Sequence, residues 1–281
     1  NESGLNIGTA PKEANYSGFG SGHRSLNNLL ERIDTQITDQ QRLILAIDEF
    51  EVIEDGINKK RIDAGLLPYL RSITQKYNWL GLIFAGLHTL EEMGRDYFSP
   101  FYSQAEYIRL GYLRYQDAIK LITQPHPDFA LEYAPDLFEE IYRLTYGQPY
   151  LVQRLCWEMI TKWNERFMIH GKNTPRTLTF TDLAPVLTPD FYRSAGYYFE
   201  GVWSNVTENE RILMRIIAKR DYESCTSSEL VHTVKDQFPK KEIDIDKTIA
   251  LLCRHDVIVK QDDEVRFASE LMRRWVARRE N

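Results

Sequence analysis

The sequence predicts an α/β fold: a parallel sheet, then a run of helices, then a module of three helices closed by a β-hairpin. Three observations predict it. Two apolar runs, residues 43–47 and 80–86, do not alternate with polar residues, as expected of parallel strands buried on both faces. A helical spacing lies between them, and strand–helix–strand order is the pattern of an open α/β sheet. Beyond Leu113 the periodicity is helical until two short β-type runs flank the polar turn at Asp262 and Asp263.

Taken in order, residues 1–24 are rich in Gly, Ser and Asn and read as a flexible segment. Ser25 is placed as the cap of an amphipathic helix carrying Leu26, Leu29, Leu30 and Ile33. The first strand follows and ends at Asp48-Glu49. After a helix over 66–77 comes the second strand, and a third is expected at 106–110, so that 25–112 forms the α/β core. Residues 113–170 form a helical lid on the spacing of Leu121, Leu137, Ile141, Leu151, Leu155 and Met159. Pro175, Pro185 and Pro189 make 171–205 a connecting segment, whose aromatic residues Phe191, Tyr192, Tyr197, Tyr198, Phe199 and Trp203 are read mostly as core or interdomain packing. In 206–281, Thr207 and Glu210 form a capping box, helices start at Ser227 or Ser228 and at Asp244 or Asp246, and the hairpin follows. Three helices and a hairpin make a winged helix.

Composition narrows the function classes. The 281 residues suffice for two compact units, and 43% hydrophobic with 27% charged residues is ordinary for a soluble protein. A formal net charge of −6 opposes broad attraction to nucleic acid or anionic membrane. Three separated cysteines without C-x-x-C spacing suggest neither disulfides nor zinc and fit a reducing cytoplasm. No apolar run approaches the roughly 20 residues that cross a bilayer. The start at Asn1, without Met, suggests a processed, truncated or excised chain.

An apolar strand ending in two carboxylates is what a nucleotide hydrolase needs beside a triphosphate. Asp48 would hold Mg²⁺ directly or through water, and Glu49 would orient and deprotonate the attacking water. A surface acidic turn is the competing reading of the same string. Downstream, Gly147-Gln148-Pro149 places Pro at the first turn of a helix, where it costs no hydrogen bond and its flat ring can lie on an adenine face. A plain helix start after a Gly turn is the alternative there.

These pieces together resemble the STAND/AAA+ type of P-loop ATPase. Residues 43–49 look like a Walker B motif, 80–86 like the following sensor strand, 107–113 like the passage to the lid, and Gly147-Gln148-Pro149 like the family's G-x-P. The resemblance covers about residues 40 to 170 and implies a partial P-loop (RecA/AAA-like) core with ATP or ADP and Mg²⁺ as ligands. It implies ATPase activity with Asp48 and Glu49 catalytic and Asp48 on the metal. It also gives Gly147, Pro149, Tyr150 and His88 to the nucleotide, with Thr89 an alternative to His88 and with Arg95 and Arg109 as candidate arginine fingers in an oligomer.

One departure stands out: no G-x-x-x-x-G-K-[ST] occurs in the chain. The stretch Gly18 to Ser25 has the wrong spacing, no Lys at the required place and no preceding apolar strand. Either the P-loop comes from an upstream segment or partner chain, or the lineage has lost ATP binding; keeping both Asp48 and Glu49 favours the first. The expected function is therefore an ATP-binding regulatory switch of the kind that serves signalling. The alternative is a non-catalytic adaptor or a winged-helix DNA-binding regulator. Asp244, Asp246 and Asp256 crowd the expected recognition helix, so protein contact is favoured over DNA.

Overall fold

The structure is a computed structural model that describes residues 19–86, 105–220 and 224–279. It divides into two compact units, Asn1–Arg109 and Leu110–Asn281.

In the first unit, β1 (Leu43–Ile47) and β2 (Leu80–Phe84) pair in parallel, from Leu43 opposite Leu80 to Ile47 opposite Phe84. Parallel neighbours need a long crossover. Here it contains α2 (Phe50–Asn58) and α3 (Leu66–Lys76). One helical stripe, Leu67, Leu70 and Ile73 of α3, meets Leu30 and Ile33 of α1 (Phe19–Asp34), and Leu43, Ile47, Leu82 and Phe84 of the sheet pack onto the same cluster. The Trp79 indole N–H donates to Asp34 at 2.7 Å and fixes the end of α1 beside the start of β2.

Among the described residues, only this inner face of the sheet is covered. On the other face Ile44 is 60% exposed and Ile83 53% exposed, with Ala46 exposed between them. The continuous apolar run predicts burial on both faces, and the described residues cover one. The third strand expected at 106–110 is likewise not formed: these residues join no ladder, and Ile108 (73%) and Leu110 (90%) face solvent. A lone strand has no ladder bonds to hold it. The first helix also begins at Phe19 instead of Ser25, taking in Gly20 and Gly22, whose low helix propensity falls in its first turns.

The second unit begins with α4 (Tyr115–Thr123), α5 (Pro135–Thr145) and α6 (Pro149–His170), and the short strands β3 (Glu132–Tyr133) and β4 (Thr177–Leu178) pair in parallel. Residues 171–205, expected as a connector, instead form the helices α7 (Phe180–Leu183), α8 (Pro189–Ser194) and α9 (Gly196–Asn205). Some of the residues that signal a loop here are helix starts: Thr179 closes a capping box and Thr188 caps α8 with Pro189 behind it, while Pro175 and Pro185 lie between elements. Phe191, Tyr192, Phe199 and Trp203 are buried, as the packing reading requires, while Tyr197 faces out.

Then come α10 (Glu208–Ala218), α11 (Ser227–Gln237) and α12 (Ile245–Arg254), capped by Thr207, Thr226 and Asp244. The hairpin β6 (Ile258–Gln261) and β7 (Glu264–Phe267) pairs antiparallel, and the two-residue strand β5 (Cys225–Thr226) adds to β7 in the order β5-β7-β6. The last helix, α13 (Glu270–Arg278), starts at Ser269. A single apolar cluster joins Leu137, Leu144 and Leu155 to Phe199, Leu213, Leu252 and Leu271, so helices on both sides of 171–205 share one core.

Ser269 ties that core together. Its buried hydroxyl donates to the Leu144 carbonyl at 2.8 Å and its oxygen accepts the Met272 N–H at 3.3 Å. Ser269→Ala removes a cap and leaves a buried carbonyl unpaired. We expect a loss of roughly 1–3 kcal/mol, measured by urea unfolding. No helix among the described residues is long and apolar enough to cross a membrane.

Candidate functional site

Asp48 and Glu49 lie at the carboxyl end of β1, where ligands of open α/β sheets bind. The local fold follows from strand-to-helix geometry. The Ile47 carbonyl accepts the Ala85 N–H at 2.9 Å, and the Ala85 carbonyl accepts the Phe50 N–H at 3.0 Å, so α2 starts directly against the end of β2. Phe50 is buried and its ring lies 4.6 Å from Phe84, which anchors the turn. Glu49 must bridge strand and helix in one step, and it does so with left-handed backbone, φ 52 and ψ 47.

A non-Gly residue at positive φ carries a local cost that concentrates at functional turns. Here it leaves both carboxylates exposed and on successive residues. Asp48 is oriented by its neighbour: its Oδ1 accepts the Glu49 N–H at 2.9 Å. A third carboxylate comes close, since the position a Cβ would take on Gly86 is 2.3 Å from Glu51 Oε2. The Glu51 carboxylate is the tip of a flexible side chain and could move aside, whereas the Phe50 nitrogen, 3.3 Å from that Cβ position, marks how closely the first turn of α2 approaches the end of β2.

The carboxylates at the end of β1 would fit a Mg²⁺ ion only if it brought other ligands with it. Among the described residues no three His, Cys, Asp or Glu side chains gather into a metal cage. Mg²⁺ keeps several waters and commonly takes one or two carboxylates plus phosphates. A single oriented Asp48 suits that arrangement and no self-contained site.

Gly147, Pro149 and Tyr150 lie together in the second unit. Tyr146 and Gly147 both have positive φ, 52 and 73, and reverse the chain between α5 and α6. The Gly147 carbonyl accepts the Leu113 N–H at 2.9 Å. A Cβ on Gly147 would sit 2.1 Å from the Leu113 carbonyl oxygen. Gln148 caps α6, its Oε1 accepting the Leu151 N–H at 2.7 Å, and Pro149 takes the first helical position with its ring exposed. Every residue of this turn thus has a structural reason, and Pro149 alone also offers an open ring face beside Tyr150.

Tyr150 is 38% exposed and stacks on Tyr198 with centroids 5.9 Å apart. Tyr198 in turn shares a 2.9 Å hydrogen bond with the hydroxyl of Tyr112. Burial pushes the Tyr112 phenol up to about 12, so both hydroxyls remain protonated. Nothing in the spacing of these tyrosines signals the pairing, because it is made across helices. His88, Thr89 and Arg95 lie outside the described residues, and Arg109 is exposed.

No protein-family model and no curated protein matches the chain. Solved structures do. The Walker-type ATPase of Pyrococcus abyssi aligns over 93% of this chain and 68% of its own, with TM-score 0.54 and 15% identity. A RuvB mutant of Thermotoga maritima aligns over 87% and 71%, with TM-score 0.39 and 13% identity. The Orc1 protein of Aeropyrum pernix, solved in complex with DNA, aligns over 94% and 70%, with TM-score 0.39 and 11% identity. The first of these shows that the chain has the fold of a Walker-type ATPase.

Proposed function

We propose that this chain is the acid-bearing and lid part of an AAA+-like, STAND-type nucleotide switch whose phosphate-binding loop comes from residues outside these 281 or from another chain. One observation carries the reading: two successive exposed carboxylates at the carboxyl end of a parallel strand, the second held in left-handed backbone. Asp48, oriented by the Glu49 N–H, offers its other oxygen to Mg²⁺ or to a metal-bound water. Bound Mg²⁺ would neutralise charge on the phosphates. Glu49 would orient the attacking water and accept its proton. Pro149 and Tyr150 would flank the adenine, with His88 near the phosphates.

The uncovered sheet supports an external P-loop. Ile44, Ala46 and Ile83 form an apolar face that a Walker-type core covers with further chain, and burying such a face stabilises by about 25 cal/mol per Å². Residues 206–281 are assigned as a winged helix that acts inside the protein. Their shared core with α5 and α6, together with the Ser269 tie to Leu144, supports a module that senses the lid and does not grip DNA.

Magnesium dependence tests the assignment. With a P-loop-bearing segment supplied, ATP affinity should rise on adding Mg²⁺, and Asp48→Asn should remove most of that rise. An equal Mg²⁺ response in wild type and variant would take Asp48 off the metal.

A further inference from the structure

Behind the Tyr146–Gly147 turn the second unit contains a cavity of about 570 Å³, in the range of small-molecule sites at roughly 300–1,000 Å³. One wall is aromatic: Tyr142 and Tyr146 lie 5.9 Å apart, and Phe267 of β7 adds an apolar floor. The rim is cationic. Arg143 of α5, Arg220 just past α10, Arg266 of β7 and Arg273 of α13 converge from four elements, against two carboxylates in the lining, Glu139 and Glu270.

Three of these guanidinium groups are held from behind. Arg143 rests on Glu140 at 2.5 Å, Arg220 on Glu229 at 2.9 Å and Arg273 on Glu270 at 2.7 Å. Arg266 differs. It donates to the Phe267 carbonyl at 3.2 Å and lies 5.8 Å from the centre of the Tyr146 ring, and no carboxylate pairs with it among the described residues. A guanidinium fork retains further N–H donors after one such bond, and planar anions are what those donors fit. Rigid arginines beside a pair of tilted tyrosine rings suit a ligand that is anionic at one end and flat at the other.

We infer that this cavity binds a phosphorylated small molecule with a planar ring, its phosphate on Arg266 and Arg220 and its ring against Tyr146 and Tyr142. The site is separate from the Pro149–Tyr150 face proposed above and does not rest on that reading. Tyr146 adjoins Gly147, so occupancy bears on the turn that carries Pro149.

Calorimetric titration of AMP and of ribose 5-phosphate into the 281-residue chain tests it, with Arg266→Glu, Arg266→Gln and Tyr150→Ala as variants. Arg266 is exposed, so both substitutions should leave the thermal melt unchanged. AMP should saturate, ribose 5-phosphate should bind roughly tenfold more weakly for want of a ring, and either Arg266 change should weaken AMP roughly tenfold or more. Because Tyr150 flanks the adenine in the reading proposed above, Tyr150→Ala reports on AMP held at that face and not in the cavity. No saturation by AMP up to about 1 mM would overturn the proposal. So would affinity unchanged by both Arg266 variants, or ribose 5-phosphate binding as tightly as AMP. Loss of AMP binding in Tyr150→Ala alone would move the ligand to the Pro149 face and leave the cavity without one.

Discussion

Gly147→Ala is expected to destabilise the second unit by about 3 kcal/mol or more, the sum of a left-handed backbone penalty and a steric conflict. The backbone penalty follows from φ 73. The conflict is harder to relieve, because the atom in the way, 2.1 Å from the new Cβ, is the Leu113 carbonyl oxygen and not a movable side-chain tip. Leu113 cannot retreat without giving up its own N–H bond to Gly147. For a unit of this size the melting temperature should fall by roughly 6–12 °C, read by calorimetry. Tyr146 is also left-handed, φ 52, yet already bears a side chain, so Tyr146→Gly should relax the backbone there. A melt for Gly147→Ala within a degree or so of wild type would mean that the turn is not packed as described.

Glu49→Gln, with a P-loop-bearing segment present, should lower ATP turnover roughly 10²- to 10⁴-fold while leaving ATP affinity within about twofold. The substitution keeps size and the capacity for left-handed backbone but removes the proton acceptor. It also leaves the Glu49 N–H that orients Asp48. The separation of turnover from binding is therefore the informative readout. Unchanged single-turnover hydrolysis would remove Glu49 from its role, and parallel loss of binding would make it a structural residue of the turn.

Local signals in the sequence were read well where the physics is local. The two non-alternating runs become β1 and β2, and Thr207-x-x-Glu210 closes its capping box. Ile258–Gln261 and Glu264–Phe267 form the hairpin around Asp262 and Asp263. Asp48 and Glu49 stand at the end of their strand for the same reason: an apolar run must stop where polar chain begins. What depends on neighbours was not legible. Residues 106–110 have the composition of a strand and no ladder, because pairing needs a second chain segment beside them. The prolines of 171–205 mark breaks between elements, and one of them, Pro189, is itself the first residue of a helix, so a helical stretch reads as a connector. The arginines around the 570 Å³ cavity come from four elements and carry no joint pattern along the chain.

The apolar face on Ile44 and Ile83 bears on the central claim more than any single side chain does. In the reading proposed above it is where a Walker-type core would be completed, beside the two carboxylates that would serve a nucleotide. Titration of labelled ATP with Mg²⁺ into this chain, alone and with a P-loop-bearing segment, is the most direct measurement. Binding that appears only with the segment, and that shields Ile44 and Ile83 amides from hydrogen exchange, is the expected result. Absence of ATP binding in both cases would contradict the account and leave the fold as a scaffold without a nucleotide.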